Sequence, residues 1–281
     1  MAGDATTMYD APAGWRAVGR YGLLVVVSVL VLFPVYTTVV AALKPGNKVL
    51  ENPLVPDAFT LDVLREAWTD GHFERYMLNS IIVTVIVTVA QIVTSVLSGY
   101  AFGLLEFPGR TLLFIVFLAT LLVPFEATVV VNRRTVDSLG WLNTYQGLAV
   151  PFLATAFGTF LIRQVFMTLP RDLRDAAAID GVGHVGFLRH VAVPLVRPTI
   201  GALALFTFLS TWGQYLWPVL VTTESDMNTL QVGLKQISEA RLDQPNLVMA
   251  GTVIAAIPIV IVLLLFQRQL VRGLTAGAVK G

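Results

Sequence analysis

The polar residues best suited to specific interactions are concentrated in one stretch, 169–198, which lies between two long apolar runs. The stretch reads LPRDLRDAAAIDGVGHVGFLRHVAVPLVRP, and so many charges cannot lie in hydrocarbon. Pro170 suits the first turn of a helix, where a missing N–H leaves no hydrogen bond unmade. Gly181 can adopt the left-handed conformation that ends helices. The pattern therefore predicts a short helix, a sharp turn and a second helix at a membrane surface.

The first of these predicted helices carries one carboxylate, Asp175, beside two small residues, Ala176 and Ala177. Alanine lets a partner approach closely, and a carboxylate accepts charge-assisted hydrogen bonds. These residue types predict a surface that docks another protein rather than one that catalyses a reaction. A plain solvated loop is the alternative interpretation.

The sequence contains no residue pattern typical of ATP binding, metal binding or hydrolysis. There is no G-x-x-x-x-G-K-[ST] loop to hold the phosphates of ATP, so any ATP hydrolysis is expected on a separate subunit. The chain has no Cys, and His72, His184 and His190 are too scattered for a metal site. An intramembrane hydrolase is disfavoured because no nucleophile–base pair or metal-ligand cluster can be placed on facing spans. We expect neither a cofactor nor an enzymatic activity in this chain.

The composition indicates a polytopic membrane protein. Of 281 residues, 56% are hydrophobic and only 13% are charged, and the mean hydropathy is +0.74. A soluble domain carries about 25% charged residues. The net charge of +1 gives no reason to expect nucleic-acid binding. The fold class predicted is an all-α membrane protein with a helix–turn–helix loop outside the bilayer.

Six apolar runs predict six transmembrane helices within residues 21–268. They lie at about 21–43, 77–103, 111–131, 144–162, 199–221 and 247–266. The first run is longer than the apolar core of a signal peptide, so we interpret it as a retained span. Residues 1–20 precede it, and a basic, glycine-rich tail at 269–281 follows the last span.

The distribution of Lys and Arg predicts the orientation of the chain. An even number of spans puts both termini and the 169–198 stretch on the same side, and that side holds more Lys and Arg than the other. Basic residues favour the cytoplasmic side. We therefore expect both termini to be cytoplasmic, although Arg133 and Arg134 in a short external link oppose the trend.

Four residues within or at the end of predicted spans are candidates for lining a solute path. Glu126 is the only ionisable residue in a predicted span, and a carboxylate at the centre of a bilayer costs about 2.5–3.5 kcal/mol. It is expected to face the helix bundle or water, unless it lies exposed at the interface. Near the end of the fifth span, Trp212 and Tyr215 offer platforms for a sugar ring and Gln214 offers an amide. An aromatic belt at the membrane interface, shared with Trp217, is the alternative interpretation.

The 169–198 stretch resembles the EAA loop of permease subunits in binding-protein-dependent importers of the ATP-binding cassette superfamily. The family pattern is E-A-A, three residues, G, nine residues, then I-x-L-P. Here Asp175-Ala176-Ala177, Gly181 and Val191-Ala192-Val193-Pro194 occupy these places. Asp replaces Glu, and Val replaces both Ile and Leu. The flanking LPRDL and AIDG are similar to the carbohydrate-uptake branch, which includes maltose and glycerol-3-phosphate importers.

The resemblance implies the permease fold of type I importers in the inner membrane of a bacterium. It implies that seven residues couple the loop to an ATPase: Asp175, Ala176, Ala177, Ile179, Gly181, Val191 and Pro194. The expected partners are a second permease subunit, two ATPase subunits that bind ATP and Mg, and an external solute-binding protein. The tail, with Gly277 and Lys280, is similar to tails that reach the ATPase dimer.

The same resemblance implies a sugar or sugar-like solute and leaves its identity open. Neutral or amino sugars come first, because Gln214, Trp212 and Tyr215 offer an amide and aromatic platforms. Glycerol-3-phosphate or its diesters come second, because Arg133 and Arg134 can pair with phosphate oxygens. The end of the fifth span also resembles glycerol-3-phosphate permeases. A secondary transporter is a more distant alternative, since one off-centre Glu supplies little for ion coupling.

Overall fold

A computed structural model of the chain describes residues 14–46, 48–52, 54–55, 58–69, 72–241 and 243–276. All regular secondary structure in these ranges is helical, which confirms the all-α prediction. The α-helices are α1 (Gly14–Ala42), α2 (Lys48–Glu51), α3 (Asp62–Thr69), α4 (Phe73–Leu104), α5 (Arg110–Ala119), α6 (Phe125–Ser138), α7 (Tyr145–Ala149), α8 (Ala156–Phe166), α9 (Arg171–Ile179), α10 (His184–Phe187), α11 (Val193–Leu195), α12 (Arg197–Trp212), α13 (Leu216–Val221), α14 (Leu230–Ala240) and α15 (Pro245–Ala276).

Three of these helices, α1, α4 and α15, are long and apolar enough to cross a membrane unbroken. Three further spans arise if each of three bent helix pairs is counted as one. The bends are 98° between α5 and α6, 44° between α7 and α8, and 79° between the α10–α11 segment and α12. By length and composition, the described part of the chain therefore holds up to six spans.

Breaks in the helices correct three of the predicted spans. In the run predicted at 111–131, the first helical segment ends at Leu122. A separate helix, α6, begins at Phe125 and extends to Ser138, so it includes most of the polar link that follows the predicted span. Pro124 explains the break, because it has no N–H and holds Val123 in an extended conformation. Glu126 therefore lies in the first turn of a separate helix and is exposed, rather than lying inside a straight span.

The predicted fourth and fifth spans are also interrupted. The helix of the fourth breaks at residues 153–155, and the fifth stops at Trp212 before the short helix α13. Neither break contains a charged residue, so composition gave no sign of them. Backbone groups freed at such breaks need new partners, because hydrocarbon supplies none.

Helix α4 supplies the partners for the break in the fourth span. The Gln91 side-chain amide donates to the carbonyl oxygen of Phe152 at 2.8 Å, and the Thr94 hydroxyl donates to that of Leu153 at 3.0 Å. The Gln91 side-chain oxygen in turn accepts from the hydroxyl of Thr207 in α12, at 2.9 Å. One side chain of α4 thus joins the broken span to α12.

The other end of α4 holds the segment that links α13 to α14. The Asn79 amide donates to the carbonyl oxygens of Asp226 at 2.8 Å and Asn228 at 2.9 Å. Its own side-chain oxygen accepts from the Tyr145 hydroxyl at 2.8 Å. Because Asn79 is fully buried and every polar atom of its side chain is paired, this part of α4 forms a structural junction rather than a solute site.

Candidate docking loop

The loop from residue 169 to residue 198 contains the helix, turn and helix that the spacing predicts. Helix α9 ends in a Schellman motif, in which the Val182 N–H donates to Ala177 O at 2.8 Å and the Gly181 N–H to Ala178 O at 3.1 Å. Gly181 is left-handed, with φ of +74°. The glycine is needed because a Cβ disfavours this conformation by about 1–2 kcal/mol.

The second half of the loop is a continuous but irregular helical segment. Helix α10 passes into a π turn at Leu188–Ala192, where the Val193 N–H bonds to Leu188 O, and then into α11. Pro194 and Pro198 both occupy first turns of helices, α11 and α12. The chain then bends by 79° into α12, so the loop joins a membrane span directly.

A hydrophobic cluster fixes the loop to α4 and α8. Ala177 and Phe187 from the loop are buried against Tyr100 of α4 and Phe166 of α8. The Tyr100 ring contacts Phe166 edge-on, with centroids 6.1 Å apart, and lies 6.5 Å from Phe187. The loop is therefore packed as part of the helix bundle rather than hanging as a solvated segment.

Two polar contacts strengthen this attachment at both ends of the helix–turn–helix. The Tyr100 hydroxyl lies 3.1 Å from Nδ1 of His184, at the start of α10. In α9, Arg174 donates from Nη1 to the carbonyl oxygen of Leu104, at 3.0 Å. Leu104 is the last residue of α4 and its carbonyl has no helical partner. The loop is therefore tied to the end of α4 by hydrogen bonds as well as by packing.

The side of the loop that faces away from α4 and α8 is exposed. Asp175, Ala176 and Ile179 lie along one exposed face of α9, since they recur at three- and four-residue spacing. Ile179 is 86% exposed and Val185, beyond the turn, is 80% exposed. Together they form an apolar tip with a carboxylate beside it, on a rigidly held support. We call this surface, made of Asp175, Ala176, Ile179 and Val185, the docking face.

The structure divides the seven predicted coupling residues into two groups. Asp175, Ala176, Ile179 and Gly181 are exposed, whereas Ala177 is only 8% exposed and packs inward. The expectation that Ala177 offers close approach to a partner is therefore wrong, because its position on α9 faces α4 and α8. Val191 and Pro194 are half-buried, and Val191 packs on the same cluster.

Several residues of the loop, and one of the helix α4 on which it packs, were not predicted from the sequence. Val185 carries a local signal, an apolar residue between glycines in a polar stretch. Arg174, Tyr100 and His184 carry none, because their contacts join residues 70 and 84 positions apart.

The predicted solute-path residues differ in exposure, and the tryptophans among the aromatic candidates are buried. Trp212 is 2% exposed, donates from its indole N–H to Ala255 O at 3.1 Å and stacks on Phe208. Trp217 is fully buried and donates to Gly147 O at 3.0 Å. Neither indole can stack on a sugar or sit in an aromatic belt. Both rings instead fill gaps between helices, so neither interpretation holds for these two tryptophans, whereas exposed Tyr215 stays a candidate for both.

Gln214 and Tyr215 lie in the break between α12 and α13, where Tyr215 is partly exposed. Glu126 is exposed on α6, next to Phe125, whose ring lies 5.9 Å from that of Trp217 in α13. Gly277 and Lys280 of the predicted tail contact lie outside the described residues. No group of three or more His, Asp or Glu able to hold a metal occurs in the described part of the chain.

Comparison with known proteins shows to which family the chain that carries this loop belongs. The family described as "binding-protein-dependent transport system inner membrane component" matches residues 92–276. The sn-glycerol-3-phosphate transport system permease protein UgpE of Yersinia pestis is 37% identical over 262 residues, covering 90% of this chain and 93% of that protein. The protein of the same name from Brucella abortus is 35% identical over 263 residues, with the same coverage. The chain belongs to this family of permeases.

Solved structures agree on the fold. A chain from a bacterial ABC transporter involved in the import of the acidic polysaccharide alginate superimposes with a TM-score of 0.81 at 23% identity, covering 94% of this permease and 99% of that chain. A chain from the alginate transporter in complex with an alginate pentasaccharide-bound periplasmic protein gives a TM-score of 0.62 at 12% identity, with coverages of 90% and 95%. These structures confirm the importer permease fold, and the family match together with the long apolar helices confirms a multi-pass inner-membrane protein.

The Schellman motif predicts that the same substitution has different effects at two glycines of the loop. Gly181→Val forces a β-branched residue into the left-handed region and should destabilise the turn by about 1–2 kcal/mol. Gly183→Val is the control, because Gly183 has an extended backbone (φ −71°, ψ 173°) and open space around it. Hydrogen exchange of peptides covering 177–187 in the purified permease should accelerate in the first variant only. Equal protection in both would contradict a conformational requirement at Gly181.

Proposed function

We propose that the docking face binds an ATPase subunit and that the loop couples ATP hydrolysis to solute import by this permease. The observation that carries the proposal is an exposed apolar tip, Ile179 and Val185, held on a support packed against α4 and α8. An 86% exposed isoleucine outside the membrane-spanning helices is costly to leave in water and suits a protein partner. Asp175 beside it can fix the orientation of that partner through charge-assisted hydrogen bonds.

In this mechanism the chemistry takes place on the partner, where ATP and Mg bind. The permease transmits the movement of the ATPase subunits to its membrane-spanning helices. Closure of two ATPase subunits would push the docking face, and the contacts from Arg174 to Leu104 O and from His184 to Tyr100 would pass that movement to α4. Since α4 packs on α8 and α12, the broken spans would shift with it. A second permease subunit would complete the solute path between the two membrane domains.

The docking face predicts which substitutions abolish coupling. Ile179→Asp should weaken ATPase association by about 2 kcal/mol or more, roughly 30-fold, as for a central interface residue. Asp175→Lys should act in the same direction by reversing the charge. Ile179→Val is the conservative control and should retain association. Co-purification of the ATPase with each variant from membranes measures the effect, and undiminished recovery with Ile179→Asp would leave the solvated-loop interpretation.

The orientation we propose puts both termini and the docking face in the cytoplasm, where ATP is available. The chain has no native Cys, so single introduced cysteines report without background. Ser225 and Ala178 are both exposed and lie on opposite sides in this arrangement. In intact cells an impermeant maleimide should label Ser225→Cys and spare Ala178→Cys until the cells are lysed. Labelling of position 178 from outside would reverse the orientation.

For the solute we propose glycerol-3-phosphate or a closely related polyol phosphate. Relatives named for sn-glycerol-3-phosphate transport, at 35–37% identity over 90% of the chain, support this choice. The burial of Trp212 also removes one of the aromatic platforms on which a preference for neutral sugars rested. Of the two external arginines, Arg133 is tied to α13, with Nε donating to Leu220 O at 2.8 Å. Arg134 is exposed and remains a candidate for attracting the anion.

The solute proposal is tested on the reconstituted transporter with its solute-binding protein. Glycerol-3-phosphate should stimulate ATP hydrolysis, and maltose should not. Arg134→Ala should raise the half-maximal solute concentration about fivefold, as for loss of a pairing worth roughly 1 kcal/mol. If Arg134 instead docks the binding protein, the variant would raise the half-maximal concentration of that protein. Stimulation by neutral sugars alone would restore the sugar assignment, with Gln214 and Tyr215 as its contacts.

A further inference from the structure

A cavity of about 240 Å³ lies at the base of the docking loop, between the end of α4, the start of α5 and α9. Its walls include three arginines, Arg110, Arg171 and Arg174, and one carboxylate, Glu106. Arg110 and Arg174 are half-buried, whereas Arg171 and Glu106 are exposed. The coupling mechanism proposed above uses only the Arg174 contact to Leu104. That mechanism gives no role to the charges of Arg110, Arg171 and Glu106.

The cavity is built to hold a negative charge. Arg110 and Arg174 each donate one N–H to a carbonyl oxygen at the end of α4, Leu105 O at 2.7 Å and Leu104 O at 3.0 Å. A guanidinium carries five N–H donors in a planar fork, so each has donors left to face a ligand. Helix α9 begins at Arg171 and adds the partial positive charge of its N-terminus.

The surroundings of the cavity indicate what kind of anion it takes. Helix α5 leaves the cavity at Arg110 and immediately exposes an apolar surface, in which Leu112 is 66% exposed and Leu113 is 53% exposed. Met167, on the cavity wall, is also half-exposed. A ligand in the cavity meets guanidinium groups, and exposed apolar side chains of α5 begin within one turn of Arg110. A membrane phospholipid has this amphipathic form, whereas free phosphate has only the charged part.

We propose that this cavity binds the phosphodiester headgroup of an anionic phospholipid such as phosphatidylglycerol. Guanidinium forks match phosphate oxygens bidentately, and basic pockets between spans on the cytoplasmic side suit such headgroups. Glu106 at the edge disfavours a second negative charge, which selects a phosphodiester over a phosphomonoester. The lipid would bridge Arg110 of α5 and Arg171 of α9, and so brace the base of the docking loop. The leaflet rests on the proposed orientation, in which this end of α4 is cytoplasmic.

The test uses the purified, delipidated transporter and native mass spectrometry with added lipid. Phosphatidylglycerol should bind and phosphatidylcholine should not. Arg171→Gln and Arg110→Gln should each weaken phosphatidylglycerol binding about fivefold, as expected for one arginine near an anionic lipid. Arg189→Gln and Arg197→Gln are the matched controls, because both arginines are exposed in the same loop and neither lines the cavity. They should leave binding unchanged.

Four outcomes would overturn the proposal. Equal binding of both lipids would remove the charge selectivity, and equal losses in the control variants would indicate a diffuse basic surface. Displacement of the lipid by millimolar glycerol-3-phosphate or inorganic phosphate would identify a site for soluble anions instead. Loss of ATPase association in lipid-free detergent on Arg171→Gln would assign the arginines to the partner protein. Maleimide labelling from outside at position 178 would move the site to the other leaflet without affecting its lipid selectivity, so the two failures are distinguishable.

Discussion

Every backbone carbonyl that loses its helical partner inside this bundle must find another donor without help from water, and the fold depends on how α4 meets that requirement. In the middle of the bundle, α4 gives hydrogen bonds to the broken span, through Gln91 and Thr94. At its end the relation is reversed, because arginines of neighbouring helices cap its carbonyls. The central helix is therefore both the support for its neighbours and the element they hold.

This exchange is what would let the loop act on the membrane-spanning helices in the proposed mechanism. Arg163, Arg174 and Arg110 come from α8, α9 and α5, and they donate to the carbonyls of Phe102, Leu104 and Leu105 respectively. Three separate elements thus converge on the last turn of α4. A side chain that bonds to a helix end, combined with the hydrophobic cluster around Tyr100, makes the loop and α4 one mechanical unit. The proposed coupling depends on that rigidity, because a mobile tip would transmit no displacement.

The breaks in the helices have a related origin and consequence. Prolines and glycines stand at several of them, including Pro124 before α6 and Gly213 after α12. A break in a span frees polar groups at membrane depth, which is tolerated where protein or a water-lined cavity receives them. The break at 153–155 is received by α4 and is structural. The break at 213–215 leaves Gln214 and Tyr215 partly exposed, and this makes it the better candidate for a solute path.

The sequence by itself determined the membrane class, the six apolar runs, the position of the loop, the left-handed Gly181 and the family. Each of these depends on composition or on spacing within about 20 residues, and local hydrophobicity or local backbone geometry decides it. Only the tertiary structure decided that Ala177 faces inward, that Trp212 and Trp217 are buried, and that Glu126 lies beyond a bend. It also brought Arg174, Tyr100 and His184 together. These outcomes depend on which distant side chain reaches a freed carbonyl or fills a gap between helices, and a linear pattern does not contain that information.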